Sequence, residues 1–393
     1  MRIEEAREDF PVFKQKTYLD TATYSPASTP VLNAVWEWWE TRKLIPNPNA
    51  LDQYSLWNKR AEKGREEAAR LLNARVEEIA FIPTTTFGIN MAATMIDWRR
   101  GDNVVINDLE HPANTLPWMH LSRKGVNVKV ARNVDGRIAI SDLEQLIDKN
   151  TRVVAFSSVS FSNGFRIDLE ALVRLAEDHG AYVVVDAIQS LGALELDVRK
   201  TGVHFLAAHG LKWLCAPFGS GILYCKRGLV EEFVPELVGT ENLDVPDGFL
   251  IGSVRDPSED TIGIYDQGLA RTAKRFQYSA SDLPALWGLA AALKYLNEIG
   301  IRNIESRVLK LSDYLVDELQ RIGARVISPL EDKHRSGIVT YAGDLRTLKV
   351  LNNEGVAVDL RYAGGQGGIR VSTHFYNNED DVDKLIAIQK RIA

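Results

Sequence analysis

A single lysine, Lys212, lies between an apolar run and a turn rich in glycine and proline in HFLAAHGLKWLCAPFGSGILY, residues 204–224. A charged amine in such surroundings costs free energy unless a partner or a reaction uses it. Asp186 ends the apolar run of AYVVVDA, so a buried carboxylate that needs a partner or a shifted pKa is expected there. The two residues can form a structural ion pair, or they can hold opposite ends of one cofactor.

Other polar side chains follow the remaining predicted strands, at the edge where open α/β sheets bind ligands. Thr84, Thr85 and Thr86 come after EEIAFI and lead into a helix, whose first amides and hydroxyls can bind a phosphate. Taken alone, these threonines are better explained as ordinary helix caps. His111 follows NVVIND, and Asn163 follows RVVAFSSVS in an Asn-Gly pair that by itself indicates only a turn.

Pyridoxal phosphate is a cofactor whose requirements match this set of residues. Its aldehyde needs a lysine, its ring nitrogen needs an acid partner, and its phosphate needs donors such as a helix N-terminus. Lys212, Asp186 and the threonines are candidates for these roles. Each residue alone is explained by a cap, a turn or an ion pair, but their joint order along the chain favours one shared site.

The elements that must position these residues are predicted between residues 79 and 226. Short β-branched runs alternate there with helical stretches, which predicts an α/β domain with a mostly parallel sheet. One helix is predicted to begin at Asp168 and to stop at Gly180. After about residue 230 come a loop-rich stretch, a long helix in SDLPALWGLAAALKYLNEIG, short strands and a final amphipathic helix, which predict a smaller α+β domain.

Composition excludes several classes of function. The net charge of -6, with both signs interspersed, disfavours a nucleic-acid surface. No apolar run is long enough to span a membrane, and the N-terminus lacks the apolar core of an export signal. Cys215 and Cys225 match neither a zinc spacing nor a disulfide framework, which predicts no metal site and a cytoplasmic location. Motifs for nicotinamide, nucleotide and zinc chemistry are missing.

The sequence resembles the class V aminotransferase family of fold-type I pyridoxal phosphate enzymes, which also includes cysteine desulfurases, selenocysteine lyases, kynureninases and isopenicillin N epimerase-like proteins. The similarity extends from about Tyr18 to the C-terminal helix and is most specific in VVVDAIQSLGALELDV and HGLKWLCAPFGSGILY. The resemblance implies the fold-type I architecture, with an N-terminal segment at 1–25, a large cofactor-binding domain at 26–265 and a small domain at 266–393. It also implies a homodimer whose active sites are completed by the partner subunit.

The resemblance assigns residues to the cofactor ring. Lys212 corresponds to the Schiff-base lysine and Asp186 to the partner of the pyridine nitrogen. Gln189 and Asn163 correspond to residues that bond the ring oxygen next to the aldehyde. His111 corresponds to the histidine that stacks on the ring and takes part in proton transfer.

The resemblance also assigns the phosphate and substrate sites. Thr85 and Thr86 correspond to the phosphate-binding turn, and His209 stands where many relatives have a phosphate-binding serine. Arg370 in GGIRVS corresponds to the arginine that binds the substrate carboxylate, which a guanidinium can do with two hydrogen bonds.

Two departures from the family pattern bear on function. Ser279 and Ala280 replace a glycine-threonine pair that reaches across the dimer, so that contact is in question. The loop LRYAGGQGGIR, which precedes Arg370, has no cysteine, whereas a desulfurase of the usual kind needs a mobile nucleophilic cysteine there. A mechanism through an enzyme persulfide is therefore not expected.

The expected substrate is an amino acid whose α-proton is removed by the Lys212 amine. Aminotransferase activity ranks first because it needs no further group. A β-eliminating C–S lyase that acts on a cysteine-type substrate ranks second and an epimerase third. A cofactor-binding regulator without activity is disfavoured because Lys212, Asp186 and Arg370 are all present. Loops such as 239–262 form the expected pocket walls, and their sequence contains no motif for a particular substrate side chain.

Overall fold

The structure, a computed structural model, describes residues 3–244, 268–277 and 282–392. The strands are β1 (Thr17–Tyr18), β2 (Ile79–Ile82), β3 (Asn103–Asn107), β4 (Asn127–Ala131), β5 (Thr151–Ser157), β6 (Tyr182–Asp186), β7 (Phe205–His209), β8 (Gly221–Cys225), β9 (Ile338–Tyr341), β10 (Val356–Ala357), β11 (Asp359–Ala363) and β12 (Gln366–Ser372). The α-helices are α1 (Thr29–Leu44), α2 (Ala50–Leu72), α3 (Thr85–Met95), α4 (Leu116–His120), α5 (Ile140–Glu144), α6 (Leu169–Glu177), α7 (Val198–Thr201), α8 (Leu283–Ile299), α9 (Ile301–Arg321), α10 (Leu345–Asn353) and α11 (Glu379–Ile392).

The large sheet has seven strands among the described residues, in the order β2-β8-β7-β6-β5-β3-β4. Strand β8 is antiparallel to both of its neighbours, and the other pairs are parallel. Strands β2, β3, β7 and β8 are buried at every residue, which explains their apolar composition on successive positions. The prediction of an α/β fold with a mostly parallel sheet is confirmed.

Helix caps place the ends of the connecting helices. The Asp168 side chain accepts a hydrogen bond from the backbone N–H of Ala171, so α6 begins where the sequence predicts. Its last helical residue is Glu177, and Gly180 follows in a left-handed conformation with φ of 70°. Helix α8 begins after the capping carboxylate of Asp282 and places a proline in its first turn.

The C-terminal part of the chain has a second sheet, in which β11, β12 and β9 pair antiparallel. Strand β1 of the N-terminal segment pairs in parallel with β10, so the start of the chain lies against this part. Helix α8 packs against α1 and α2, which joins the C-terminal helices to the N-terminal ones. The expected domain boundary at 265/266 falls in residues 245–267, outside the described part of the chain.

No helix in the described ranges is both long enough and apolar enough to cross a bilayer.

Candidate active site

A cavity of about 350 Å³ opens at the carboxyl edge of the large sheet. Parallel strands end at the same edge, so residues that are distant in sequence meet there. The cavity is lined by these residues predicted from the sequence: Thr85, Thr86, His111, Asp186, His209, Lys212 and Arg370.

Asp186 is the last residue of β6 and is 1% exposed. Its Oδ1 atom accepts the backbone N–H of Ile188 at 2.9 Å. Burial raises the pKa of this carboxyl, and the hydrogen bond from Ile188 and the charge of Lys212 oppose that rise. A carboxylate held in this way can stabilise a protonated ring nitrogen, because a buried cation beside it compensates for its own desolvation.

Lys212 lies just after β7, in the wall of the cavity. Burial lowers the pKa of its amine, and the positive charge of Arg370 lowers it further, while Asp186 acts in the opposite direction. An amine with a lowered pKa is neutral more often near pH 7, which suits both attack on an aldehyde and removal of a proton.

Trp213 fixes the backbone next to Lys212. Its indole Nε1 donates to Gln189 Oε1 at 2.8 Å, and its carbonyl lies 2.9 Å from His374 Nε2. Gln189 Nε2 donates to the carbonyl of Ala22 at 3.1 Å, so both ends of this amide are bonded within the protein. Gln189 does not line the cavity, and its role at the ring oxygen stays a prediction.

Asn163 is also placed outside the cavity lining. Its Nδ2 donates to the carbonyl of Gly136 at 2.7 Å, and its Oδ1 accepts the N–H of Phe165 at 3.1 Å. These bonds hold the turn that follows β5. The role predicted for Asn163 at the ring oxygen therefore also stays a prediction.

The start of α3 forms the candidate phosphate site. Thr84 caps the helix, because its hydroxyl accepts the N–H of Phe87 at 3.1 Å. The hydroxyl of Thr85 accepts the N–H of His209 at 2.9 Å, which ties the helix start to the end of β7. The amides of Thr85 and Thr86 are at the positions where a helix leaves N–H groups without a helical acceptor, and such groups bind anions.

His209 lies beside this helix start as a neutral ring. Its Nε2 accepts the backbone N–H of Gly219 at 3.2 Å, so the ring proton is assigned to Nδ1. Burial, together with the charge of Lys212, lowers its pKa to about 4. The ring can therefore supply one N–H donor to a phosphate but no positive charge.

His111 lines the cavity and is neutral as well. Its Nδ1 accepts the N–H of Ala113 at 3.1 Å, so the hydrogen is assigned to Nε2. Burial and the charge of Lys212 lower its pKa to about 4. The ring meets Phe161 edge to face, with the two centroids 5.1 Å apart.

Arg370 is buried on β12. Its Nη1 donates to the carbonyl of Phe161 at 3.0 Å, and its Nη2 donates to Thr23 Oγ1 and lies 3.3 Å from Asp20 Oδ1. Its Nε is buried and has no hydrogen-bond partner within the described residues. A buried unpaired N–H is costly, which fits a site that a substrate carboxylate completes.

Arg361 also lines the cavity and was missed by the sequence reasoning. It lies on β11, where it forms an ion pair with Asp359 at 2.5 Å. Asp359 faces Arg370 across the strand pair, so residues 359, 361 and 370 share one face. The alternation in DLRYA carries this signal, but only once the pairing of the two strands is known.

The segment before Arg370 is a tight hairpin. Ala363 pairs with Gln366, which leaves a turn of Gly364 and Gly365 with φ of 54° and 78°. Two positive φ values define a turn that glycine adopts without strain. The side chain of Asn133 donates to the carbonyl of Gly364 at 2.9 Å, so the tip is fastened to the end of β4.

Cys215 and Cys225 are both free and buried. Neither lines the cavity. Burial raises the pKa of the Cys215 thiol to about 12, and that of Cys225 is raised as well. Because the thiolate is the reactive form, neither residue is suited to accept sulfur from a substrate.

Two further expectations concern residues outside the described part of the chain. Ser279 and Ala280 fall in the range 278–281, and the pocket wall expected at 239–262 falls largely in 245–267.

The residues of the cavity fit pyridoxal phosphate. A lysine with a lowered pKa, a buried carboxylate, an imidazole and the start of a helix lie around one cavity, together with the guanidinium of Arg370. This fold and this site define a fold-type I pyridoxal phosphate enzyme.

The sequence model of the aminotransferase class-V family matches residues 17–385, and the chain belongs to this family, as the resemblance predicted. Its cofactor is pyridoxal phosphate.

Named relatives extend along the whole chain. A probable cysteine desulfurase of Methanothermobacter thermautotrophicus is 29% identical, with 100% of this chain and 98% of the relative covered. An uncharacterized aminotransferase of Schizosaccharomyces pombe is 30% identical, with 98% and 94% covered. The apo structure of a cysteine desulfurase from Thermococcus onnurineus NA1 superposes with a TM-score of 0.87 at 25% identity, with 100% of this chain and 98% of that chain covered.

Proposed function

We propose that this enzyme is a C–S lyase that eliminates sulfur from a cysteine-type amino acid without forming a persulfide on the protein. The observation that carries this proposal is the state of the only two cysteines in the sequence, which are buried away from the cavity with raised thiol pKa values. The similarity to proteins named as cysteine desulfurases supports sulfur chemistry. The sulfur would then leave directly as a thiol or sulfide.

The hairpin before Arg370 supports the same conclusion. Its turn of two glycines is fastened by Asn133, in the segment where a persulfide mechanism needs a mobile cysteine. A nucleophile that travels between substrate and acceptor has no counterpart there.

Each residue of the cavity has a role in this reaction. The unpaired Nε of Arg370 binds the substrate carboxylate and so orients the α-carbon hydrogen towards Lys212. The bound cofactor would supply an electron sink that acidifies this hydrogen, and Asp186 keeps that sink charged. The Lys212 amine takes the proton. The C–S bond then breaks, its electron pair leaves on sulfur, and the sulfur takes up one proton.

His111 is suited to assist the departing sulfur. Its Nδ1 is occupied by the N–H of Ala113, so Nε2 presents a hydrogen to the cavity. A neutral imidazole can donate that hydrogen bond without protonating the Lys212 amine. After water adds to the remaining three-carbon fragment, it is released as pyruvate and ammonium.

Aminotransferase activity is the second candidate, although it ranked first from the sequence. The similarity to a protein named as an aminotransferase favours it. It would use the same Lys212 amine, which would return the proton to the cofactor instead of losing sulfur from the substrate.

One experiment separates the candidates. The purified holoenzyme is incubated with cysteine or an S-alkylcysteine, and pyruvate, ammonium and the released sulfide or thiol are measured together. Pyruvate and thiol in equal amounts support the lyase. Conversion of the cofactor to its amine form without thiol supports transamination, and solvent deuterium at the α-carbon without loss of the amine supports an epimerase.

We also propose a homodimer in the cytoplasm. Exposed apolar side chains lie on α1 and α4, and Phe218 is exposed beside His209. A surface of this kind is expected where a second subunit packs. Two free cysteines are consistent with a reducing compartment. The mass in solution tests the dimer.

A further inference from the structure

Glu110 is a buried carboxylate that precedes His111 and accepts four hydrogen bonds. Its Oε1 accepts from Asn107 Nδ2 and from the backbone N–H of Ser157, both at 2.6 Å. Its Oε2 accepts from Asn114 Nδ2 at 2.9 Å and from the Ser157 hydroxyl at 2.5 Å. The side chain is 7% exposed, so these bonds replace its hydration.

These donors come from three separate segments. Asn107 ends β3, Ser157 ends β5, and Asn114 ends the 3₁₀ turn Pro112–Asn114 that follows His111. Ser157 is in register with Asp186 on the neighbouring strand. Glu110 therefore joins the turn that carries His111 to the strand beside the one that carries Asp186.

We propose that Glu110 is a positioning residue that holds the His111 ring against the cofactor, a proposal that rests on the function proposed above. Burial raises the pKa of the Glu110 carboxyl to about 7, and the hydrogen bonds from Ser157 and Asn114 oppose that rise because they favour the ionised form. In that form its two oxygens accept all four bonds. A glutamine has one acceptor oxygen, so its amide NH₂ would face at least one group that can only donate, Asn114 Nδ2 on one side or Asn107 Nδ2 and the Ser157 N–H on the other. The turn would move, and His111 would move with it.

Glu110→Gln is the test, and Glu78→Gln is its matched control. Glu78 is also 7% exposed and accepts the backbone N–H groups of Arg75 at 2.7 Å and Arg227 at 2.8 Å. It does not line the cavity. Both variants remove a buried charge, but only the first touches the turn of His111.

The variants are compared in a double-mutant cycle with His111→Phe. Glu110→Gln is expected to lower kcat about tenfold, the effect of 1.4 kcal/mol in the barrier, with little change in KM. Glu110→Gln with His111→Phe should be no slower than His111→Phe alone. Glu78→Gln should leave kcat within about twofold of the wild-type value, because the hydrogen bonds of Glu78 do not involve the turn that carries His111.

A second readout does not require elimination. Glycine binding is followed by the change in the visible absorption of the bound cofactor, and the same cycle is applied to that spectrum. A wild-type enzyme that releases no pyruvate would refute the proposed function, yet this spectral cycle would still test Glu110. Ser157→Ala removes only one hydroxyl donor and should shift the spectrum in the same direction if Glu110→Gln does not fold.

Independent effects of the two substitutions on kcat would overturn the proposal. If the factor by which kcat falls in the double variant equals the product of the factors in the two single variants, Glu110 does not act through His111. The same conclusion follows if His111→Phe has no effect, or if Glu78→Gln alters kcat and spectrum as much as Glu110→Gln.

Discussion

The hairpin formed by β11 and β12 carries both arginines of the cavity, and Asn133→Asp should weaken amino-acid binding by releasing it. Asn133 Nδ2 donates to the carbonyl of Gly364 at 2.9 Å and to Asp108 Oδ1 at 3.0 Å. An aspartate at this position loses both bonds. It also places a carboxylate oxygen against a carbonyl and a second carboxylate.

The size of the effect follows from these contacts. Each lost hydrogen bond costs about 1 kcal/mol. Two like charges about 3 Å apart in a water-like dielectric repel by roughly 1.4 kcal/mol. Only the Gly364 bond joins Asn133 to the hairpin, so about 1 kcal/mol, roughly a fivefold change, is assigned to the docking equilibrium of the hairpin. The lost bond to Asp108 and the repulsion from Asp108 destabilise the segment after β4 instead. The expected rise in the Kd of glycine is therefore at most about fivefold.

The assay is a glycine titration of the visible absorption, with hydrogen exchange of residues 359–372 as a second measurement. Faster exchange in the variant would show that the hairpin has been released. Tyr362→Phe is the control, since its hydroxyl donates to Gly343 at 3.2 Å on the other side of the same hairpin. Wild-type glycine affinity in Asn133→Asp, together with faster exchange, would refute the link between docking and substrate binding.

Three other predictions concern the site and its surroundings. Asp186→Asn should lower kcat by at least about a hundredfold while the cofactor stays bound, because an amide cannot hold the ring proton; near-normal turnover would contradict this. Replacing Cys215 and Cys225 with serine should leave pyruvate release within about twofold, and a persulfide detected on either cysteine by mass spectrometry would disprove direct elimination. Burial lowers the pKa of His374 to about 3, so below pH 6.5 the unfolded chain binds a proton that the folded chain does not. The free energy of unfolding should therefore fall as the pH drops from about 6.5 towards 3, by up to about 1.4 kcal/mol per pH unit. Urea unfolding at pH 7 and at pH 5 should show a larger decrease in this free energy for the wild type than for His374→Phe.

Residues at strand ends were predictable from the sequence. Asp186, His111 and Lys212 each follow an apolar run, and parallel strands bring such residues to one edge whatever the details of packing. The helix start at Thr85 was predictable for a similar reason, since its cap is local in sequence.

Residues whose place depends on distant partners were not predictable. Arg361 reaches the cavity through the pairing of β11 with β12, and Glu110 takes two of its four bonds from Ser157 at the end of β5. The amide of Gln189 is bonded to Trp213, a contact that spacing alone does not reveal. These positions are set by tertiary packing, which a local pattern does not contain.

Two residues of the N-terminal segment pair with residues of the C-terminal part of the described chain. Asp20 lies 3.3 Å from Arg370, and Arg7 pairs with Asp381 at 2.8 Å. During synthesis, Asp20 and Arg7 therefore find these partners only after residues 370 and 381 have left the ribosome. The strands that carry Asp186 and precede Lys212 are made earlier, so the wall of the cavity that carries Arg370 is added to a sheet already synthesised.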